Sequence, residues 1–302
     1  MSSELRQTID TPSSCPICGE SELIPYHDQV WRRLIKCRHC RIVVADPLPS
    51  LDEKIEIERQ AYIGEALPET AEFFANCNRD FEEDAVIRSF RRIISQMGEA
   101  REPGRLLDVG PGTGIFLHLA REQGWEPHGI DVCEIAAAKA RDEFGIDIDV
   151  GEFGQFPYEP ASFDCITMLD VLEHTLDPVG FLERALDLLK PGGILVVAVP
   201  NQQCLLTAIL DRYIWLAGIG GQWFLERLYV SPHVYYFGPR VLKFALERAR
   251  FSIVRLEGGN VYLGRYRLPI WMRVPLELVL HVGSLLGMSA RVIAIARKPG
   301  AE

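Results

Sequence analysis

Between Leu106 and Phe116 an apolar run gives way to three alternating glycines and then to a helical pattern, in the order Leu106-Leu107-Asp108-Val109-Gly110-Pro111-Gly112-Thr113-Gly114-Ile115-Phe116. A strand that ends this way feeds a nucleotide-binding turn. Gly110, Gly112 and Gly114 permit positive φ and close approach by a ligand, and the helix that follows presents unpaired N–H groups at its N-terminus. Asp131 closes the next apolar run, after Gly129-Ile130, at roughly the 20-residue distance at which a carboxylate meets ribose hydroxyls in such folds. The spacing also selects among nucleotides. A dinucleotide fingerprint, G-x-G-x-x-G, needs glycine where Ile115 stands, which disfavours a nicotinamide cofactor, and a P-loop is excluded because no Gly-Lys-Ser/Thr follows. Asp108 before the first glycine would repel a pyrophosphate and attract a cation.

The segment resembles motif I of the class I S-adenosylmethionine-dependent methyltransferases. The likeness continues downstream. Ser162-Phe163-Asp164-Cys165-Ile166-Thr167-Met168-Leu169-Asp170-Val171-Leu172-Glu173-His174 resembles that family's fourth strand, with the D-V-L-E-H ending of small-molecule enzymes, and Leu188-Leu189-Lys190-Pro191-Gly192-Gly193 resembles its L-K-P-G-G turn before the fifth strand. The resemblance spans Leu106 to Pro200, and more loosely His233 to Leu256. It implies that Asp108, Gly110, Gly112 and Gly114 hold the methionine side of S-adenosylmethionine. It further implies Asp131 on the ribose, Glu152 and Phe153 at the adenine edge and face, and Leu169 at the strand end beside the cofactor.

Helical patterns at Phe116 to Glu122, Glu134 to Phe144 and Pro178 to Leu189 alternate with apolar strands at Leu106, Pro127 to Ile130, Asp147 to Val150, Phe163 to Leu169 and Ile194 to Val199. Such alternation predicts an α/β fold, a doubly wound, mostly parallel sheet with helices on both faces, and the resemblance makes it seven-stranded. An amphipathic helix is expected over Phe81 to Met97, ended by Gly98 and the Pro103-Gly104 pair before the first core strand. Asp177-Pro178 reads as an N-cap with proline at the first helical position, and Lys190 as a cation at that helix's C-terminus. The expected organisation is a zinc ribbon at 1–50, a helical linker or lid at 51–98 and a methyltransferase domain at 99–302. Apolar inserts at 201–232 and 258–289 would carry substrate cover, a dimer interface or a membrane-surface contact. Asp211 and Arg212 in one insert, and Arg273, Glu277 and His281 in the other, interrupt them before a membrane span accumulates.

Four of the eight cysteines form two C-x-x-C pairs, Cys15 with Cys18 and Cys37 with Cys40, at a separation suited to a structural Zn²⁺ site. Arg38 and Arg41 would offset the charge of a four-thiolate centre, and His39 is expected outside it. Cys77, Cys133, Cys165 and Cys204 read as small buried hydrophobes.

A formal net charge of −10 argues against nucleic acid as a general partner. The local exception is a basic, aromatic hairpin, Trp31, Arg32, Arg33, Lys36, Arg38 and Arg41, which leaves an RNA methyltransferase as the alternative and predicts steep salt dependence. A non-catalytic scaffold is disfavoured by the intact glycine turn. Met1-Ser2-Ser3-Glu4-Leu5 carries no apolar signal, so a cytoplasmic enzyme is expected. Methyl transfer mainly requires positioning, and an oxygen or activated-carbon acceptor also needs a base. His174 and His233 are the candidates for that base, and Glu173 is read as an orienting or helix-capping carboxylate. The acceptor would be an O, N or activated C atom of a small molecule, sugar or glycan precursor.

Overall fold

The computed structural model of the 302-residue chain describes residues 12–28, 33–56, 85–217, 229, 233–261, 263 and 269–300. Three N-terminal strands, β1 (Leu23–Asp28), β2 (Arg33–Cys37) and β3 (Val43–Asp46), precede helix α1 (Ala85–Ala100). The glycine-turn unit follows as β4 (Arg105–Val109), α2 (Ile115–Glu122), β5 (Glu126–Asp131), α3 (Glu134–Phe144) and β6 (Ile148–Val150). The second half consists of β7 (Phe163–Leu169), α4 (Pro178–Leu188), β8 (Leu189–Pro200), α5 (Leu205–Ala217), β9 (Tyr235–Tyr236), α6 (Pro239–Arg248), β10 (Ser252–Gly259), α7 (Ile270–Leu285) and β11 (Arg291–Arg297).

Seven strands form one sheet in the order β10-β11-β8-β7-β4-β5-β6. Only β11 runs against its neighbours, pairing antiparallel with both β10 and β8. The sheet is buried on both sides because successive strand residues point to opposite faces. Leu107, Ile166 and Val197 share one core with α4 and α6, whereas Leu106, Cys165 and Val196 pack on the other side with α1, α2 and α3. The parallel order reverses at β4 and β7, and the loops after those two strands open the crevice where ligands of such sheets bind.

A second sheet has the order β1-β2-β3-β9. Its fourth strand comes from far along the chain, with Val43 opposite Tyr236 and Val44 opposite Tyr235. The cysteine hairpin therefore does not stand apart. Ile17, Ile35 and Val44 are buried in the same core as Val199, Leu242 and Leu246, and Tyr26 of β1 donates a 2.8 Å hydrogen bond to Asp211 of α5.

Several local expectations are corrected. Helix α1 continues through Gly98 to Ala100, since a single helical glycine costs only about 1 kcal/mol; residues 81–84 of the expected helix lie outside the described residues. Lys190 caps no helix. It belongs to β8, its Nζ 2.7 Å from Asp164 Oδ2, and the Gly192-Gly193 turn stays paired with Lys298. Asp177 does cap α4, accepting from the Gly180 N–H at 2.9 Å. Among the described residues no helix is long and apolar enough to cross a membrane. The insert after β8 begins as α5, and residues 218–228 lie outside the described residues. The insert before β11 forms α7, whose Ile270, Trp271, Val274 and Leu278 are exposed.

Candidate active site

The glycine turn sits at the C-terminal end of β4. Gly110, Gly112 and Gly114 all take positive φ, at 68°, 56° and 80°, so each occupies backbone space that a side chain would strain. At Gly114 packing adds to this, because a Cβ would stand 2.8 Å from the Ala140 Cβ of α3. Two carboxylates flank the turn. Asp131, at the end of β5, accepts from the Cys133 N–H at 2.9 Å and from the Gly112 N–H at a long 3.4 Å. It ties the turn to the neighbouring strand. Asp108 is buried and accepts from the Thr167 hydroxyl at 2.5 Å. Burial pushes its carboxyl up to about 7, against the pull of that hydrogen bond, and the Asp131 charge adds to the rise. A cation placed here would favour the ionised form. The residues thus fit S-adenosylmethionine: positive-φ backbone for close approach and a desolvated carboxylate in want of positive charge.

The remaining cofactor candidates are spread around the same edge. Glu152 follows β6 and accepts from Gln155 Nε2 at 2.7 Å. The Gly151 N–H beside it bonds the Asp131 carbonyl at 2.9 Å. Phe153 points inward, buried with its ring 5.3 Å from that of Phe181. Leu169, half-buried, ends β7.

Beyond Leu169 the chain turns sharply. Asp170 adopts φ 59° and is held by Arg291 of β11 at 2.6 Å. Val171 then packs against the glycine turn, so close that a Cβ at Gly110 would lie 2.9 Å from its Cγ2. Glu173 and His174 follow in the same turn, closed by the His174 N–H on the Val171 carbonyl at 2.9 Å. The main-chain carbonyl of Glu173 accepts from the N–H groups of Val234 and Tyr235, at 2.8 and 3.1 Å. These two bonds deliver His233. The rings of His174 and His233 meet edge to face with centroids 4.7 Å apart, and a side-chain ligand atom of each lies within 4.8 Å of the other and of the Glu173 carboxylate. Glu173 is not a helix cap. It is 1% exposed and neither carboxylate oxygen has a hydrogen-bond partner among the described residues. Burial and then the Asp170 charge push its carboxyl well above the usual range, against a pull from Arg291 and Lys54.

The four N-terminal cysteines converge. Cys15 Sγ lies 3.5 Å from Cys40 Sγ and Cys18 Sγ 3.5 Å from Cys37 Sγ, with all four sulfurs within 4.8 Å of one another. Tetrahedral zinc with bonds of about 2.3 Å sets its sulfurs ~3.8 Å apart, so the cluster fits such an ion. Both turns are built alike, with positive φ at Gly19 after Cys18 and at Arg41 after Cys40. The hydrogen bond from Cys40 pulls the Cys15 thiol down to about 5, while Cys40 itself is pushed up. His39 is exposed, its ring 6.3 Å from Phe244. Cys133, Cys165 and Cys204 are buried, and Cys77 lies outside the described residues. Of the basic hairpin, Trp31 and Arg32 also lie outside them. Arg33 is paired with Asp46, and Lys36 rests 4.2 Å over the Tyr26 ring.

Sequence reasoning missed Thr167, Arg291 and Lys54. Thr167 stands within a quoted motif, but only the β4–β7 register, which sets it opposite Asp108, reveals its role. Arg291 and Lys54 carry no local signal, since each reaches the site from a distant part of the chain.

A methyltransferase domain model matches residues 81–256, more than half of the chain. The chain belongs to that family and is an S-adenosylmethionine-dependent methyltransferase. Among relatives, it is 30% identical over 184 residues to the ubiquinone biosynthesis O-methyltransferase of Rhodopseudomonas palustris strain TIE-1, covering 59% of this chain and 70% of that one. It is 29% identical over 163 residues to the enzyme of the same name from Paracidovorax citrulli, covering 51% and 66%. Among solved structures it shares its fold with the [4+2]-cyclase SpnF, at TM-score 0.55 and 20% identity over 84% of this chain and 99% of that one. An S-adenosylmethionine-dependent methyltransferase from Archaeoglobus fulgidus matches at TM-score 0.50 and 22% identity, over 70% and 93%.

Proposed function

We propose that this enzyme methylates an O, N or activated C atom of a small molecule, sugar or glycan precursor in the cytoplasm, with oxygen the favoured acceptor. The observation that carries the reading is the apposition of His233 to His174, which stands in the turn whose Val171 packs on Gly110. Two groups able to accept a proton there stand beside the glycine turn, and the relatives named O-methyltransferases favour an acceptor that must lose one. Bound S-adenosylmethionine supplies an electrophilic methyl carbon on a positively charged sulfur. Asp108 would meet that charge from a desolvated position, while Asp131, which fixes the turn, would hold the ribose. Glu152 and Leu169 would border the adenine end, with Phe153, turned inward onto Phe181, supporting that edge from the core. His174 or His233 takes the acceptor proton, a contribution of about 10²- to 10⁴-fold in rate where the acceptor is a weak acid. The four-cysteine cluster holds a structural zinc ion and seats the hairpin against β9, whose preceding residues carry His233.

The test is incorporation of a labelled methyl group from the cofactor into fractions of a cell extract. Label is expected in a small-metabolite or glycan-precursor fraction, reduced at least 10-fold in a His174→Asn, His233→Asn double variant. Label entering RNA alone, with binding that falls steeply with salt, overturns the small-molecule reading. Calorimetry separates the cofactor question, since Asp131→Ala should weaken cofactor binding if the turn is used as described. Elemental analysis should find one zinc per chain, lost in Cys18→Ser.

A further inference from the structure

The least reconciled polar group in the described residues is the Glu173 carboxyl. It is 1% exposed, both oxygens lack a hydrogen-bond partner among the described residues, and two imidazoles approach within 4.8 Å. A carboxylate buried in this manner destabilises a fold unless positive charge meets it. Packing alone does not call for it, because an apolar side chain of similar volume would fill the space without the penalty. The main chain of the same residue supplies a second observation. Its carbonyl holds the Val234 and Tyr235 N–H groups, so one residue fixes His174 as its neighbour in sequence and His233 through the backbone.

We propose that Glu173 is a positioning residue for base catalysis, holding the His174–His233 pair and stabilising the single imidazolium that forms when the acceptor yields its proton. In the step it serves, the acceptor oxygen forms a bond to the methyl carbon and the carbon–sulfur bond breaks with its electron pair left on sulfur. The acceptor proton passes to an imidazole nitrogen. The step uses the ionised form of Glu173, which burial disfavours and which Arg291, Lys54 and the new imidazolium favour, and its charge, poorly screened in a buried setting, compensates the cation. The surrounding charges suit this role. Asp170 beside it is bound by Arg291 from β11, and Lys54 approaches from the helical stretch at 51–56. Arg291 and Lys54 thus offset only part of the burial and of the Asp170 charge, so an imidazolium on the pair supplies the positive charge that Glu173 lacks.

The inference rests on the histidine reading above, and its test does not require the acceptor. The full chain, carrying histidine labelled with ¹³C at ring Cε1 and saturated with S-adenosylhomocysteine, is titrated by NMR, with the two resonances assigned through His174→Asn and His233→Asn. One of the pair is expected to titrate above the ordinary imidazole value of about 6.5. Glu173→Gln should lower that midpoint by a pH unit or more, and Glu173→Asp by less. A residue that merely fills space would leave the midpoint where it was. The proposal is overturned if both histidines titrate at or below the ordinary value in the wild-type chain, a result that needs no variant to fold. It is also overturned if Glu173→Gln leaves the midpoint unmoved, or if Mn²⁺ at low micromolar concentration selectively broadens the two resonances. Full methyl transfer by the double histidine variant would instead remove the base-catalysis reading itself, a different result from a failed titration.

Discussion

The turns after β4 and β7 touch at Gly110 and Val171, yet they treat their charged groups in opposite ways. In the first, both carboxylates are engaged by protein donors, Asp108 by the Thr167 hydroxyl and Asp131 by main-chain N–H groups. In the second, the Glu173 carboxylate has no hydrogen-bond partner among the described residues, and Asp170 sits in the left-handed region that L residues seldom adopt. A surface that receives one cofactor of fixed shape can be completed in advance, with its backbone set by glycine and its carboxylates held. Under the proposed function the second turn handles a proton in transit, and such a surface retains reactive groups with unmet demand. Burial disfavours the ionised carboxylate at both turns, but only at the first is it offset by a side-chain hydrogen bond, that of Thr167 to Asp108.

That contrast can be broken most directly at Gly114. Its φ is 80°, and a Cβ added there would stand 2.8 Å from that of Ala140. Gly114→Val should therefore weaken cofactor binding about 100-fold or more, because strain of ~1–3 kcal/mol joins a packing clash. Calorimetry reads the loss, and a variant binding within twofold of wild type would show that the turn is not a fixed mould. The next effect is in pH. Because the folded-state carboxyl of Asp108 lies at about 7, above its ordinary 3.8, the apo protein takes up a proton on folding between those values. This group's contribution to stability is fully present below about pH 4 and is lost as pH rises through about 7. Cofactor affinity should run the other way, falling as pH drops below about 7 by up to tenfold per unit, since the cation needs the ionised form. Flat affinity between pH 5 and 8 would remove Asp108 from the binding account. The smallest effect sharpens the other side of the comparison. Glu173→Met should raise the melting temperature by about 1–2 °C, as ~1 kcal/mol of desolvation is relieved in a chain of this size, whereas Gly114→Val should lower it. A melting temperature reduced by Glu173→Met would mean that the carboxylate is already well partnered.

How much was legible follows from how local each requirement is. The alternating glycines state their own backbone geometry, so the turn and its place at the end of β4 could be read from eleven residues. The apolar strand runs likewise foretold the mostly parallel sheet. Lys190 misled because a cation after a helix reads as a cap, although the following Gly192-Gly193 let the chain pair with Lys298 and extend β8 backward. The helix-cap half of the Glu173 reading failed in a similar way, since a carboxylate in D-V-L-E-H gives no sign of its burial. The pairing of β3 with β9 joins Val43 and Val44 to Tyr236 and Tyr235 across nearly two hundred residues, and two-residue strands leave no pattern to read.

The order of residues was enough to specify the sheet, the backbone demands of the glycine turn and the thiol spacing, all of which depend on neighbours in the chain or on a fixed repeat. Folding in three dimensions had to bring Thr167 to Asp108, Arg291 and Lys54 to the second turn, and His233 beside His174. Those contacts depend on register and on how layers pack, and the burial they create is what moves a carboxyl from its ordinary behaviour to a charge that can be used.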